Sequence, residues 1–409
     1  MSEIYDILVV GGGPGGLSAG IYGSRARLKT AVIEKGRVGG QTATTEEIEN
    51  YPGSFGDISG SGLMDRFAAH AKHFGTEMIK GLVVDLELEG PVKKVMLKSG
   101  EVLESHCVIL SPGAEPRSLN IKGEGKFRSK GVSYCATCDA DFYEDLDIVV
   151  VGNGDAAIEE AIFLTKFANE VTIIVIHDEG ILDCNKASAE KAFKNPKLKW
   201  IWNSVLEEIR GDELVEEVVI KNIKTGELTS KEVNGVFFFV GTVPKTGFLK
   251  GKVELDERGY IVANELMETN VEGVYAVGDA RIKYLRQVVT AAADGAIAAV
   301  AAEKYLAEME SFREQVLEAK TPVLLAFWAP QAEKSIAVIG ILETAVEKFG
   351  GKVALSKIDT YRNQKTSAAY KVTQIPTVLL FNKGEVMGRL EGDFAAFDVE
   401  ELIKEVDKA

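Results

Sequence analysis

The stretch Ile7-Leu8-Val9-Val10-Gly11-Gly12-Gly13-Pro14-Gly15-Gly16 decides the fold. Four apolar residues in a row read as a strand buried on both faces, as in a parallel sheet. They open directly into a glycine turn and a helix-compatible stretch from Leu17. Gly11 permits the tight turn, Gly13 lets the backbone approach a pyrophosphate, and Gly16 lets helix and strand pack closely. The helix N-terminus favours negative charge there. The next strand ends in Glu34, 23 residues after Gly11, where an acid binds a ribose hydroxyl. A glycine turn alone is a weak signal, but strand, turn, helix and acid in this order read as a dinucleotide site.

The unit recurs 141 residues later. Ile148-Val149-Val150-Val151 runs into Gly152-Asn153-Gly154-Asp155-Ala156-Ala157, then a helical pattern over 158–168 and a strand over 171–176. Two dinucleotide-binding folds in one chain follow. Short strands are expected between them at 83–88, 94–97 and 107–110, and after them at 217–221 and 236–240. Gly278-Asp279 and a long Ala-rich helix from about Gln287 come next. A third region begins near Ser311 without a Gly-, Pro- or Ser-rich linker, which implies a stiff, close attachment. Its order is helix 312–319, strand 323–328, helix 334–349, strands 353–358, 377–381 and 386–390, and helix 399–406. That is a small α/β domain.

The 409 residues suit two or three domains, and 62 acidic against 47 basic side chains leave a net charge of −15. Such an excess of acid argues against a general nucleic-acid binder, which needs clustered Lys and Arg. Nearly all of it lies before residue 311, since 311–409 hold 14 acids and 13 bases. The most membrane-like stretch, 288–302, carries Thr290, Asp294 and Gly295 and falls short of the ~20 apolar residues a span needs. The opening residues lack the basic and apolar regions of a secretory signal. Four cysteines, Cys107, Cys135, Cys138 and Cys184, do not make a disulfide scaffold, so a cytoplasmic setting is expected.

Cys135-Ala136-Thr137-Cys138-Asp139 puts two sulfurs within disulfide reach and an acid beside them. One thiolate can attack a disulfide, the other resolve it, and the carboxyl deliver the proton. A zinc knuckle is the rival, but it needs a second ligand pair, and neither His106-Cys107 nor His177 with Cys184 has that spacing. No metal is expected. Cys107 and Cys184 read as buried or incidental thiols.

Gly39-Gly40-Gln41-Thr42, Glu49-Asn50-Tyr51-Pro52-Gly53, the Cys135 to Asp139 motif, and Gly278-Asp279-Ala280-Arg281 through Arg286-Gln287-Val288-Val289-Thr290-Ala291-Ala292 together resemble the low-molecular-weight thioredoxin reductases. The resemblance covers residues 1 to about 310. It implies an FAD domain made of 1–113 and 244–310, with an NAD(P)-binding-type domain, 114–243, inserted and carrying the redox CxxC. Gly11, Gly13, Pro14, Gly16, Glu34, Gly40, Gln41 and Asn50 would hold FAD. Asp279 would bind its ribityl or pyrophosphate part, and Arg286, Gln287 and Val288 would lie near the isoalloxazine. Cys138 would face the flavin, Cys135 attack the partner disulfide, and Asp139 act as the acid. The insert would swing between two poses, the acceptor would be a thioredoxin-like protein, and the assembly a homodimer.

The second turn keeps Gly152, Gly154 and Ala157 for a nicotinamide nucleotide. NADPH-using members of the family carry His-Arg-Arg and a further Arg four residues on, which pair with the 2′-phosphate, at positions that map onto Val175, Ile176, His177 and Ile181. No arginine lies between Val171 and Asn185, and Asp178 and Glu179 would repel a phosphate. An Arg–phosphate contact contributes roughly 1.5–3 kcal/mol, so NADPH is doubtful as donor. Either Asp178 or Glu179 accepts from a ribose diol and the donor is NADH, or the donor is reduced ferredoxin, as in related clostridial-type reductases. The acidic body of the chain weighs against an acidic ferredoxin, since like charges slow encounter, unless a basic patch such as Lys122, Lys126, Arg128 and Lys130 offers a dock.

Residues 311–409 resemble thioredoxin through Phe327-Trp328-Ala329, Gln374-Ile375-Pro376-Thr377 and Asn382-Lys383-Gly384. The family's Cys-Gly-Pro-Cys would occupy 332–335, which here read Ala332-Glu333-Lys334-Ser335. A natural degenerate domain used for docking or dimerisation, a one-thiol or selenol site whose Cys or selenocysteine was replaced by Ala332, and an engineered double change all fit. The sequence as a whole reads as an FAD-dependent disulfide reductase. Rival readings are a non-catalytic redox-sensing flavoprotein and an NADH oxidase or peroxiredoxin reductase.

Overall fold

The computed structural model describes residues 4–45, 48, 50–54, 59–361 and 363–408. Glu49 of the second quoted motif lies outside them. The chain divides into two compact units, Met1–Ala301 and Ala302–Ala409.

In the first unit the opening strand, Tyr5–Val10, is central to a seven-stranded sheet, between Thr30–Glu34 and Val102–Leu110. Both neighbours run parallel to it, with Val9 opposite Val32 and Ile109. Ile7, Leu8 and Val9 are fully buried, which is why the run needs no polar alternation. Burying each such side chain contributes about 1.5–3 kcal/mol. Glu77–Lys80 extends the parallel side, Val274–Ala276 pairs with Val102–Leu110, and Lys93–Leu97 with Val83–Glu87 forms an antiparallel flank.

A second sheet is wholly parallel, in the order Leu198–Ile201, Glu170–Ile174, Asp147–Val151, Gly235–Phe238, Val132–Ser133. It packs Ile148, Val150, Ile158, Ala161 and Leu164 into a dry core. Between the two sheets the chain crosses twice, at Ala114–Pro116 and Thr242–Pro244, and these segments pair as an antiparallel ribbon.

The C-terminal unit centres on a four-stranded sheet in the order Ala354–Asp359, Val323–Trp328, Thr377–Asn382, Glu385–Glu391. Helices Glu333–Lys348 and Ala396–Lys404 share its core through Val338, Leu342, Val399 and Leu402. This is the expected architecture of two Rossmann-like folds followed by a thioredoxin-like α/β unit. The local differences have physical causes. No separate helix starts at 312, because Val288–Phe312 is a single 25-residue helix that passes into a π-turn at Arg313–Leu317. The boundary read near Ser311 falls inside it. The helix Gly60–His73 buries Leu63, Met64, Ala68 and Ala71 along one face and is started by Ser59, whose Oγ accepts from Gly62 N at 3.0 Å.

Candidate active site

The first glycine turn opens onto a cavity of about 310 Å³. Gly11 has φ +109°, and a Cβ there would stand 2.1 Å from the Ser111 carbonyl oxygen, so only glycine makes this turn. Gly13 faces open space, which leaves its backbone approachable from the cavity. Helix Pro14–Arg25 starts here with no acidic residue in its first turn.

Of the residues read as cofactor ligands, Gly11, Gly13, Pro14, Glu34, Gly40, Gln41, Asp279, Gln287 and Val288 line this cavity. The remaining three stand outside the lining. Gly16 is buried in the helix and strand packing, where a Cβ would meet Gly11 O at 1.9 Å. Arg286 stacks its guanidinium 4.3 Å from the Tyr260 ring centroid and donates to Asp279 O at 3.4 Å. Asn50 donates through Nδ2 to Gln287 Oε1 at 3.2 Å and to Thr137 O at 3.3 Å.

The carboxylate of Glu34 accepts from Gly12 N at 2.9 Å and Gly36 N at 3.3 Å, which fixes it at one end of the cavity. Asp279 lines the wall, and its Oδ1 is buried without a hydrogen-bond partner among the described residues. Burial pushes its carboxyl upward in pKa, against the opposing pull of Lys283 and Arg286. An orphaned acceptor in a glycine-walled cavity with a helix N-terminus at one side fits a ligand with hydroxyls and phosphates, as FAD has.

Cys135 and Cys138 form a disulfide, with Cα atoms 5.3 Å apart. Cys135 caps the short helix Ala136–Asp139. Gln287 Nε2 donates to Thr137 Oγ1 at 3.2 Å and to Cys135 Sγ at 3.8 Å. The same side chain therefore lines the cavity and touches the disulfide turn. Asp139 accepts from Ser133 Oγ at 2.5 Å, and Ser133 Oγ in turn accepts from Cys135 N at 3.1 Å. Ser133 and Thr137 were missed in sequence; their only signal is their place within or beside the CxxC. Arg128 donates to Gln41 Oε1 at 3.2 Å, and Lys122 is paired with Glu208 at 2.5 Å. The basic patch expected at 122–130 is thus partly spent on the protein's own groups.

The second glycine turn is built alike and covered differently. Gly152 has φ +131°, with Phe239 O 2.6 Å from a built Cβ. Gly154 faces open space, and Ala157 is fully buried. The segment after the next strand folds back over this turn. Asp183 N donates to Asn153 O at 3.1 Å, Asn153 Nδ2 to Asp183 Oδ2 at 3.2 Å, and Asn185 N to Asp155 Oδ1 at 2.7 Å. His177 Nε2 lies 2.9 Å from Asp183 Oδ2, and this contact holds the Asp183 carboxyl below its usual range. Asp178, one of two acids expected to be open to a ribose, is paired with Lys224 from a neighbouring hairpin turn. Lys224 lies 46 residues away in sequence, which is why no local pattern announced it.

Cys107 and Cys184 form no disulfide. Among the described residues no cluster of three or more His, Cys, Asp or Glu is placed to hold a metal ion, and no helix is long and apolar enough to cross a membrane.

Comparison with known proteins agrees with this geometry. The family model for pyridine nucleotide-disulphide oxidoreductases matches residues 5–295, and that for thioredoxin matches 304–407. The chain is 50% identical to a thioredoxin reductase of Peptoclostridium acidaminophilum over 75% of its own length and 98% of the relative's. It is 34% identical to a bifunctional thioredoxin reductase/thioredoxin of Mycobacterium leprae, covering 95% of this chain and 94% of the other. The crystal structure of thioredoxin reductase from Streptococcus pyogenes MGAS5005 superposes with a TM-score of 0.71 at 42% identity, over 75% of this chain and 100% of that one. The Lactococcus lactis thioredoxin reductase in its FR conformation gives 0.54 at 41% identity, over 74% and 99%. A disulfide turn touching the wall of a dinucleotide cavity, in a chain this close to these relatives, makes it a member of the pyridine nucleotide-disulphide oxidoreductase family, a flavin-dependent disulfide oxidoreductase of the thioredoxin-reductase type with a C-terminal thioredoxin domain.

Proposed function

We propose that this enzyme takes two electrons from NADH or reduced ferredoxin, rather than NADPH, and passes them through the Cys135–Cys138 pair to a separate thioredoxin-like protein. The observation that carries the reading is Gln287, which lines the cofactor cavity and hydrogen-bonds the disulfide turn. FAD would be held by the Gly11–Gly16 turn, Glu34, Gly40, Gln41 and Asp279, within a domain made of 1–113 and 244–310. When bound, it supplies a two-electron store beside the disulfide.

The chain's own residues do the rest. The Cys135 thiolate attacks the partner disulfide, forming a mixed disulfide and releasing one partner thiolate, which Asp139 protonates. The Cys138 thiol then attacks Cys135 Sγ, its proton passing to the departing sulfur, which frees the second partner thiol and closes the Cys135–Cys138 disulfide. Each cycle moves two electrons and two protons to the partner. Ser133, bonded to Asp139 and to the Cys135 amide, orients the acid.

The insert, 114–243, would swing about the ribbon of Ala114–Pro116 and Thr242–Pro244. Two relatives at 42% and 41% identity superpose unequally, at 0.71 and 0.54, as rotation of one fold against another would produce. The C-terminal unit is read as a degenerate docking domain, because residues 332–335 hold no sulfur. A homodimer is supported by the solvent-facing Ile282, Tyr284, Leu285, Val289 and Ile297, an apolar surface that light scattering would test. The two unbridged cysteines favour a cytoplasmic setting.

Cys138→Ser is expected to abolish reduction of a thioredoxin disulfide while FAD stays bound; full turnover by that variant refutes the assignment. For the donor, the flavin is followed anaerobically by absorbance with NADH, NADPH and reduced ferredoxin offered in turn. Bleaching is expected from NADH or ferredoxin, and rapid bleaching by NADPH sinks that part of the reading.

A further inference from the structure

Asp294, which no motif singled out, sits near the start of helix Val288–Phe312 and is 4% exposed. A carboxylate so buried is unfavourable unless it is paired and hydrogen-bonded. Here it accepts from four donors: Gly278 N at 3.0 Å, Arg281 Nε at 3.0 Å, Arg281 Nη2 at 2.9 Å and Lys283 Nζ at 2.7 Å. The side chains of Arg281 and Lys283 are themselves 15% and 6% exposed. All four donors belong to one short segment, 278–283, and that segment carries Asp279 into the cavity wall.

The helix that bears Asp294 is fixed against the first glycine-turn helix. A Cβ on Gly295 would lie 2.0 Å from Gly15 O, and Ser18 Oγ donates to Ala292 O at 2.7 Å. Asp294 therefore stands on a platform tied to the glycine-turn helix and holds segment 278–283, another part of the cavity lining, by charge-assisted bonds. Segment 278–283 has little regular structure of its own, a single 3-10 turn at Gly278–Ala280 and a parallel bridge in which Ile261 N donates to Ala280 O at 2.9 Å and Ile282 N to Ile261 O at 3.0 Å, so Asp294 is its anchor on the helix side.

We infer that Asp294 is a positioning residue for cofactor binding, holding segment 278–283 so that Asp279 faces the cavity. Its effect runs through charge balance. Asp279 and Arg286 bring one charge of each sign to the group, and Arg281 and Lys283 against Asp294 leave one surplus positive charge; without the Asp294 carboxylate two buried cations lie side by side and drive the segment off the helix. This inference rests on FAD as the occupant of the cavity.

The test titrates FAD into deflavo-protein and reads flavin fluorescence, for the wild type, Asp294→Asn, Lys283→Met and the double variant. Asp294→Asn is expected to weaken FAD binding about 30-fold, the scale of losing charge-assisted bonds. The double variant, which restores the net charge and keeps an amide oxygen for Gly278 and Arg281, is expected to recover to within about fivefold of wild type, a non-additive outcome. Cys135 and Cys138 thiol titres and circular dichroism report whether each variant is folded. An Asp294→Asn affinity within threefold of wild type overturns the inference. So does an additive loss in the double variant, which is the signature of a merely structural role.

Discussion

At Gly11 the Ser111 carbonyl stands 2.1 Å from where a Cβ would be, and at Gly152 the Phe239 carbonyl stands 2.6 Å away, so both turns demand glycine. Their surroundings then diverge. The first strand after Gly11 ends in Glu34, whose carboxylate is held by Gly12 and Gly36 at the cavity edge. The position 141 residues beyond Glu34 is Val175, fully buried. The first helix has no acid in its first turn, whereas the second starts with Asp155 and receives Asp183 across its turn. Two copies of one motif thus differ in what the rest of the chain brings to them, and anion binding depends on that as much as on the glycines.

The comparison breaks most sharply at the glycines themselves. Gly11→Ala, strained at φ +109° and colliding with backbone, is expected to reduce bound FAD at least tenfold, read as the flavin-to-protein absorbance ratio. Gly152→Ala should destabilise the second fold and leave that ratio unchanged. Equal flavin loss in both variants would mean that the turns do not act separately.

A smaller effect is expected at the strap over the second turn. Removing its charge with Asp183→Ala should speed anaerobic flavin reduction by NADH about threefold, since a carboxylate at a helix N-terminus competes with a pyrophosphate. An unchanged rate would assign the strap to packing alone and favour the protein donor.

The smallest effect concerns Asp279, whose carboxyl is raised by burial. For a raised carboxyl, ionisation opposes folding: the penalty is absent below the ordinary aspartate value of about 4 and complete above the raised one. Asp279→Asn should therefore raise the melting temperature of the deflavo-protein by about 2–4 °C at neutral pH and not near pH 4. The same variant should bind FAD more weakly. A gain that persists in acid would show that the carboxyl is not the source.

Much of the site could be read locally because its chemistry is local. Strand, turn and helix around Gly11 follow from apolar runs and glycine spacing, and the Cys135–Cys138 bridge follows from a two-residue gap. Thr137 lay within that window and Ser133 two residues before it, but neither had a distinguishing type. Asp294, Lys224 and Asp183 act through partners that chain folding brings to them, and Asp294 shares an Ala-rich helix with Glu303, Glu308 and Glu310, where an acid reads as a surface residue.

The sequence by itself determined the two dinucleotide folds, the disulfide pair, and the absence of sulfur at 332–335, because each depends on residue type and short spacing. Only the tertiary structure decided that Gln287 joins cavity to disulfide, that a strap covers the second turn, and that a buried carboxylate ties Arg281 and Lys283 to the cavity wall. Those depend on burial and on charges meeting across long stretches of chain, and neither is encoded in any short window of residues.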